Sequence, residues 1–179
     1  MHKGYRLKRP FDFCLALSGL VLSFSLWCLI CFFIWLEDKK PVFYIQQRVG
    51  LNGKIFKLLK FRTMGYQKEN SRLAKILRTS ALDELPQLIN ILRGEMSFVG
   101  PRPLIPQELT LQIDFQDRSS VRPGLTGVAQ LMVSKNASIL DKTKYDSWYV
   151  QEQSLGLDIL LILDSFWVSL SRKWDKSTL

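Results

Sequence analysis

Residues Phe13 to Leu36 read FCLALSGLVLSFSLWCLICFFIWL, an almost unbroken apolar run. At about 1.5 Å per helical residue, such a run reaches across a hydrocarbon core of roughly 30 Å. Secretory signal peptides have a shorter apolar core and a small-residue cleavage site. Here Trp35-Leu36-Glu37-Asp38-Lys39-Lys40 follows, so the segment is expected to be retained. Lys3, Arg6, Lys8 and Arg9 precede it; Lys39, Lys40, Arg48, Lys54, Lys57, Lys60 and Arg62 follow it. The cytoplasmic bias of Lys and Arg asks for both ends on the cytoplasmic side. One straight span cannot satisfy that, whereas a helix that enters, bends and returns can. Ser18-Gly19 and Ser23-Phe24-Ser25 supply the residue types found at kinks. A single span with a globular domain behind it stays open, because large domains override the charge rule. Asp12 is expected to pair with Lys8 or Arg9, since an unpaired carboxylate at the membrane is costly.

Working outward, residues 1–40 form a membrane unit with its flanks, and residues 41–179 are long enough for one modest core. Lys and Arg outnumber Asp and Glu by 25 to 16, a net charge of +9. That sign suits anionic partners: nucleic acid, acidic lipid headgroups or phosphorylated substrates. Cys14, Cys28 and Cys31 all lie in the apolar run, and Cys28-x-x-Cys31 lacks the second pair that a zinc site needs. The single histidine is His2, which excludes mechanisms built on an internal His base or His-ligated metal. Carboxylates, Lys and Arg must carry any chemistry.

Pro41–Tyr44 and Ile55–Thr63 read as extended segments around the turn Gly50-Leu51-Asn52-Gly53. Gly65–Arg72 reads as a polar loop and Leu73–Leu77 as a short helix. Ser80–Arg93 reads as the clearest helix: Ser80 as cap, Asp83 three residues on, Pro86 near the start, Leu85, Leu88, Ile89 and Leu92 on one stripe, and Gly94 as the stop. Phe98–Pro106 is a proline-studded loop and Pro106–Phe115 a second helix. Val121–Thr126 reads as a turn and Gly127–Met132 as a strand. Tyr145–Gln151 and Leu157–Ser171 read as helices, the last too short to span and suited either to a membrane surface or to a core.

Asp83 and Glu84 fall in the first turn of their expected helix. Unpaired N–H groups at that end make a phosphate seat. A carboxylate beside a neutralised phosphoryl group can act as nucleophile, and a second can help hold Mg²⁺. The same pair also fits a plain acidic first turn favoured by the dipole. Arg102, between Pro101 and Pro103, is stiffly mounted for bidentate phosphate binding, or is a solvated turn residue. Arg122-Pro123-Gly124 repeats the theme more weakly. Lys60 and Arg62 are expected on one strand face, either towards phosphate or towards solvent.

In order and spacing, these residues resemble the bacterial sugar transferase family, the monotopic phosphoglycosyl transferases. The resemblance runs from Lys8-Arg9-Pro10-Phe11-Asp12 to about Ser171. It rests on Gln47-Arg48-Val49-Gly50, Lys60-Phe61-Arg62-Thr63-Met64, Leu82-Asp83-Glu84-Leu85-Pro86-Gln87-Leu88, Arg93 to Pro103, and Arg122 to Gln130. It implies a mixed α and β, mainly helical monotopic membrane protein, with an N-terminal re-entrant helix and a small cytoplasmic catalytic domain bearing surface-lying amphipathic helices. It also implies an enzyme on the cytoplasmic face of the bacterial inner membrane, initiating surface glycan synthesis. Asp83 would attack a UDP-sugar, release UMP and hold the phospho-sugar until a polyprenyl phosphate, such as undecaprenyl phosphate, displaces it. Asp83 and Glu84 would hold Mg²⁺. Lys60, Arg62, Arg102 and Arg122 would bind substrate phosphate, with Arg78, Asp158 and Gln130 as further site candidates. Ser23-Phe24-Ser25 stands where the family usually has a bend proline, and Val133 to Ala137 replaces a glycine-rich turn. The expected partners are the donor, the lipid acceptor and membrane lipid, with no nucleic acid. Sugar, pathway and oligomeric state are not fixed. Two rivals stay open: a membrane-anchored basic protein without catalysis, and a membrane phosphatase using an aspartyl-phosphate.

Overall fold

The computed structural model describes residues 5–39, 41–63, 71–110, 116–134 and 137–170. Most of the expected loop at Gly65–Arg72, the end of the helix expected over Pro106–Phe115, and Lys135-Asn136 lie outside those residues.

The chain is mixed α and β and mainly helical. Helix α1 (Lys8–Asp38) leads to an antiparallel hairpin of β1 (Phe43–Val49) and β2 (Ile55–Phe61), in register from Phe43 opposite Phe61 to Val49 opposite Ile55. Asn52 and Gly53 turn the hairpin with positive φ, as the Asn-Gly signal asks. Next come α2 (Arg72–Thr79), α3 (Gln87–Arg93) and β3 (Ser97–Val99), then α4 (Gln116–Ser119), β4 (Gly124–Thr126) and α5 (Val128–Met132). Helices α6 (Ile139–Glu152) and α7 (Leu155–Leu170) close the described fold.

Helix α1 is continuous over its 31 residues. The Ser23 hydroxyl donates to the Gly19 carbonyl at 2.6 Å without freeing the helix backbone. One stripe faces the rest of the protein along nearly its whole length. Asp12, Ala16, Ile30 and Ile34 are buried, and Leu20 and Trp27 pack between them at helical spacing. The first half meets Leu88, Ile91 and Met96; the second meets Phe61 and Leu77. Trp27 sits edge-on to Phe61 with centroids 5.2 Å apart. From Asp12 to Ile34 the stripe covers about 33 Å at the helical rise. The opposite face is exposed and apolar, with Val21, Leu22, Phe24, Leu29 and Phe32 all more than half exposed. A contiguous patch of that kind marks a lipid or protein contact. By length and composition α1 can anchor the chain in a membrane.

Polar contacts bolt the start of α1 down. Asp12 pairs with Lys8 at 3.8 Å, as expected, and also accepts from the Ser97 hydroxyl and the Phe98 N–H. Arg9 donates to the carbonyls of Ile91 and Leu92, where its charge complements the C-terminal end of α3.

Four expectations need correction. The helix expected over Ser80–Arg93 is split. Ser80 ends α2, its N–H and hydroxyl both turned back to Ile76 O, and Ala81 takes a left-handed conformation with φ 55°. A 3-10 turn (Leu82–Glu84) follows, and α3 begins only after Pro86, which has no N–H to donate. The turn and strand expected at 121–126 and 127–132 are a strand and a helix instead. Glycines decide this: Gly100 and Gly124 approach backbone to backbone, and a Cβ on Gly124 would lie 2.1 Å from Gly100 N. That contact creates the short parallel β3–β4 ladder, which hydrophobic periodicity does not register over three residues. Strand β1 also runs on to Val49, past the expected end at Tyr44.

Candidate active site

The site is built where three elements converge: the β1–β2 hairpin, the turn before α3, and the loop after β3. Asn90, fully buried on α3, donates to Lys57 O at 2.8 Å and accepts from Leu59 N–H at 3.0 Å. This fixes α3 against β2 and so sets Asp83-Glu84 against Lys60. Leu82 and Leu85 anchor the turn in the cluster around Phe61.

Asp83 is 9% exposed. Burial, then the neighbouring Glu84, pushes its carboxyl up to about 6, against the pull of Lys60 and Arg78. Such a group keeps its negative charge at neutral pH only at a cost, which is a common property of reactive carboxylates. Glu84 is tied to Lys60, Oε1 to Nζ, at 2.6 Å. Arg78, in the last turn of α2, is near enough to act on Asp83.

Beside this pair opens a cleft of about 260 Å³, its mouth included; Arg48, Lys60, Glu84, Gln87, Arg102 and Gln130 supply its polar lining. Arg102 is exposed between two buried prolines, the stiff mounting that its flanks imply. Behind it, Gly100, Gly124 and Gly127 touch through their backbones, so the loop has no room to shift. Arg118 donates to Arg102 O at 3.2 Å and pairs with buried Asp146 at 2.9 Å. Burial holds the Asp146 carboxyl up at about 6 despite Arg118.

The fold therefore brings together Lys60, Glu84, Arg102 and Gln130, with Asp83 directly behind Glu84. Three candidates lie elsewhere. Arg62 is one residue past β2, its N–H paired with Val42 O, and does not line the cleft. Arg122 donates through Nε to Gly94 O at 2.8 Å, a structural tie. Asp158 is fully buried: it accepts from the Tyr5 and Tyr149 hydroxyls at 2.7 Å each and pairs with Lys8. Sequence reasoning missed Arg48 and Gln87 as cleft residues. The signal for Arg48 was its place in Gln47-Arg48-Val49-Gly50, just before the hairpin turn.

Among the described residues no group of three or more His, Cys, Asp or Glu side chains is placed to hold a metal. Asp83 and Glu84 still offer the hard oxygen donors that Mg²⁺ takes, one or two carboxylates completed by substrate phosphates. Burial and then Glu84 raise the Asp83 carboxyl, while Lys60 and Arg78 lower it.

The sequence profile described as "Bacterial sugar transferase" matches residues 3–172. The exopolysaccharide production protein ExoY of Rhizobium meliloti is 37% identical, over 89% of this chain and 83% of that protein. The undecaprenyl-phosphate galactose phosphotransferase of Salmonella typhimurium is 30% identical, over 93% of this chain but 41% of its own length. The UDP-N-acetylgalactosamine-undecaprenyl-phosphate N-acetylgalactosaminephosphotransferase of Aeromonas hydrophila is 33% identical, over 87% of this chain and 42% of its own. With a profile match spanning nearly all of the sequence, the chain belongs to the bacterial sugar transferase family and is an enzyme of the sugar-phosphate transferase class.

Proposed function

We propose that this protein transfers a sugar-1-phosphate from a UDP-sugar to undecaprenyl phosphate, the first step of a surface glycan. The observation that carries the reading is Asp83: buried, raised to about 6, and next in the chain to Glu84, whose partner Lys60 lines the cleft with Arg48 and Arg102. An Asp83 oxygen attacks the sugar-bearing phosphorus. The bond from that phosphorus to the bridging oxygen breaks, and UMP leaves with that oxygen. An oxygen of the lipid phosphate then attacks the same phosphorus, and the carboxylate leaves unchanged. Lys60 and Arg102 spread the phosphate charge, and Lys60 orients Glu84. Mg²⁺, held by Asp83 and Glu84, would neutralise donor phosphate charge when bound.

The membrane arrangement belongs to the same proposal. In support, helix α1 packs on one body near both of its ends, an arrangement that fits both cation clusters lying on the cytoplasmic side. Its apolar face, and that of α7 with Leu160, Leu163, Phe166 and Trp167, enter the lipid. Single cysteines at Gly4 and Lys176, in a chain lacking Cys14, Cys28 and Cys31, should react with an impermeant thiol reagent only after cells are opened. Gly4→Cys reacting from outside would make α1 a straight span.

The activity test uses detergent-purified chain, Mg²⁺ and a panel of UDP-sugars, with and without undecaprenyl phosphate. Sustained UMP release that requires the lipid supports the transfer. Sugar phosphate formed without it means a phosphatase, and no turnover across the panel means a binding protein.

A further inference from the structure

Arg48 lines the cleft from the end of β1. Its Nε and Nη2 donate to Gln46 Oε1 at 3.1 and 2.7 Å, and its Nη1 donates to Pro103 O at 2.8 Å. Next to it, Val49 N–H donates to Leu104 O at 2.9 Å, so β1 is stitched to the Arg102 loop at two adjacent points. A guanidinium has five N–H donors. These contacts take three and leave one N–H on each terminal nitrogen for an anion.

Burial, and then repulsion from Arg102 across this site, weakens Arg48's hold on its proton, while Glu108, Tyr44 and Glu84 offset this in part. Neither carboxylate bridges the two guanidiniums. Glu84 is committed to Lys60, and Glu108 Oε2 accepts the Ile105 N–H at 2.9 Å. Two like charges held at one cleft without a shared counter-ion form a seat for an anion with two charged centres.

We infer that Arg48 is a second diphosphate-binding residue, gripping one phosphate of the donor while Arg102 takes the other. Assigning that diphosphate to a nucleotide sugar rests on the transfer reading above; the two-centre anion site does not.

Full-length chain in detergent and magnesium-free buffer should bind inorganic pyrophosphate at least about tenfold more tightly than orthophosphate. Arg48→Gln should cut pyrophosphate affinity about tenfold and change orthophosphate affinity less than threefold. In turnover it should raise the donor KM about tenfold and leave the lipid-acceptor KM within twofold. Arg48→Lys keeps the charge without the fork and should recover only part of the loss. Gln46→Leu, which removes the oxygen orienting Arg48, should weaken pyrophosphate about threefold; it keeps the test open if Arg48→Gln fails to fold. Equal affinity for the two anions, or unchanged pyrophosphate binding in Arg48→Gln and Gln46→Leu, overturns the inference, as does a matched rise in both KM values. Wild-type protein that prefers pyrophosphate yet releases no UMP would sink the transfer reading and leave the Arg48 site standing.

Discussion

Two buried aspartates of this protein live under opposite conditions. Asp158 has no exposed surface, and three donors from different parts of the chain satisfy it: Tyr5, Lys8 and Tyr149. Asp83 is nearly as buried, but among the described residues no other residue's side chain hydrogen-bonds to it, and a second carboxylate stands next to it. The same chemical group is a fastener in one place and, in the other, a carboxylate supported by its own backbone N–H and the pull of Lys60 and Arg78. The supply of donors separates the roles, and burial does not.

The sharpest way to break this contrast is to exchange each carboxylate for its neutral isostere. Asp83→Asn should reduce lipid-dependent UMP release by more than a thousandfold, about 4 kcal/mol of barrier, with fold and membrane association intact. Activity within tenfold of wild type would remove Asp83 from the covalent role. Asp158→Asn should instead destabilise the chain by about 3 kcal/mol, because it removes the nearer of Lys8's two counter-charges. Denaturant unfolding in detergent reads this. Equal stability with lost turnover would make Asp158 part of the chemistry.

A pH series sharpens the same contrast. The folded protein holds the Asp83 proton more tightly than the unfolded chain does, about 6 against 3.8. Its contribution is therefore fully present below pH 3.8 and is lost as pH rises through about 6. Asp83→Asn should match wild type near pH 4 and exceed it by about 2 kcal/mol at pH 8, read as the difference in unfolding free energy. Turnover, which needs the charged form, should rise with pH through the same window. Arg102→Lys should lower kcat/KM about tenfold, since it keeps the charge and loses the fork. Unchanged kinetics would make Arg102 a surface residue. The smallest effect is expected at Ala81, whose left-handed backbone opens the turn carrying Asp83. Ala81→Gly should stabilise by about 1 kcal/mol, measured as a small rise in Tm.

What the sequence displayed follows from the range of each signal. The anchor, the hairpin turn, α2 and α7 were legible because composition or period repeats over a whole element. Asp83, Glu84, Lys60 and Arg102 were legible because charge and proline stiffness are local. The β3–β4 ladder was hidden, since it depends on glycines 24 residues apart in number, Gly100 and Gly124, meeting in space. Arg48 was hidden for the same reason: its partner is the Pro103 carbonyl, which only the fold brings near. Arg122 and Asp158 had the right residue type but spend it on Gly94, Lys8 and the two tyrosines.

The ties that hold the start of α1 also have a consequence for how the chain is made. Lys8 leaves the ribosome well before Asp158, its partner 150 positions later, and Asp12 before Ser97 and Phe98. During synthesis α1 must therefore wait with both charges already in place, and each then has the other as a counter-ion one helical turn away. Long-range closure of this kind is slow. A chain arrested before residue 158 would hold an anchor whose lock has not yet been synthesised, and quality-control proteases would meet it in that state.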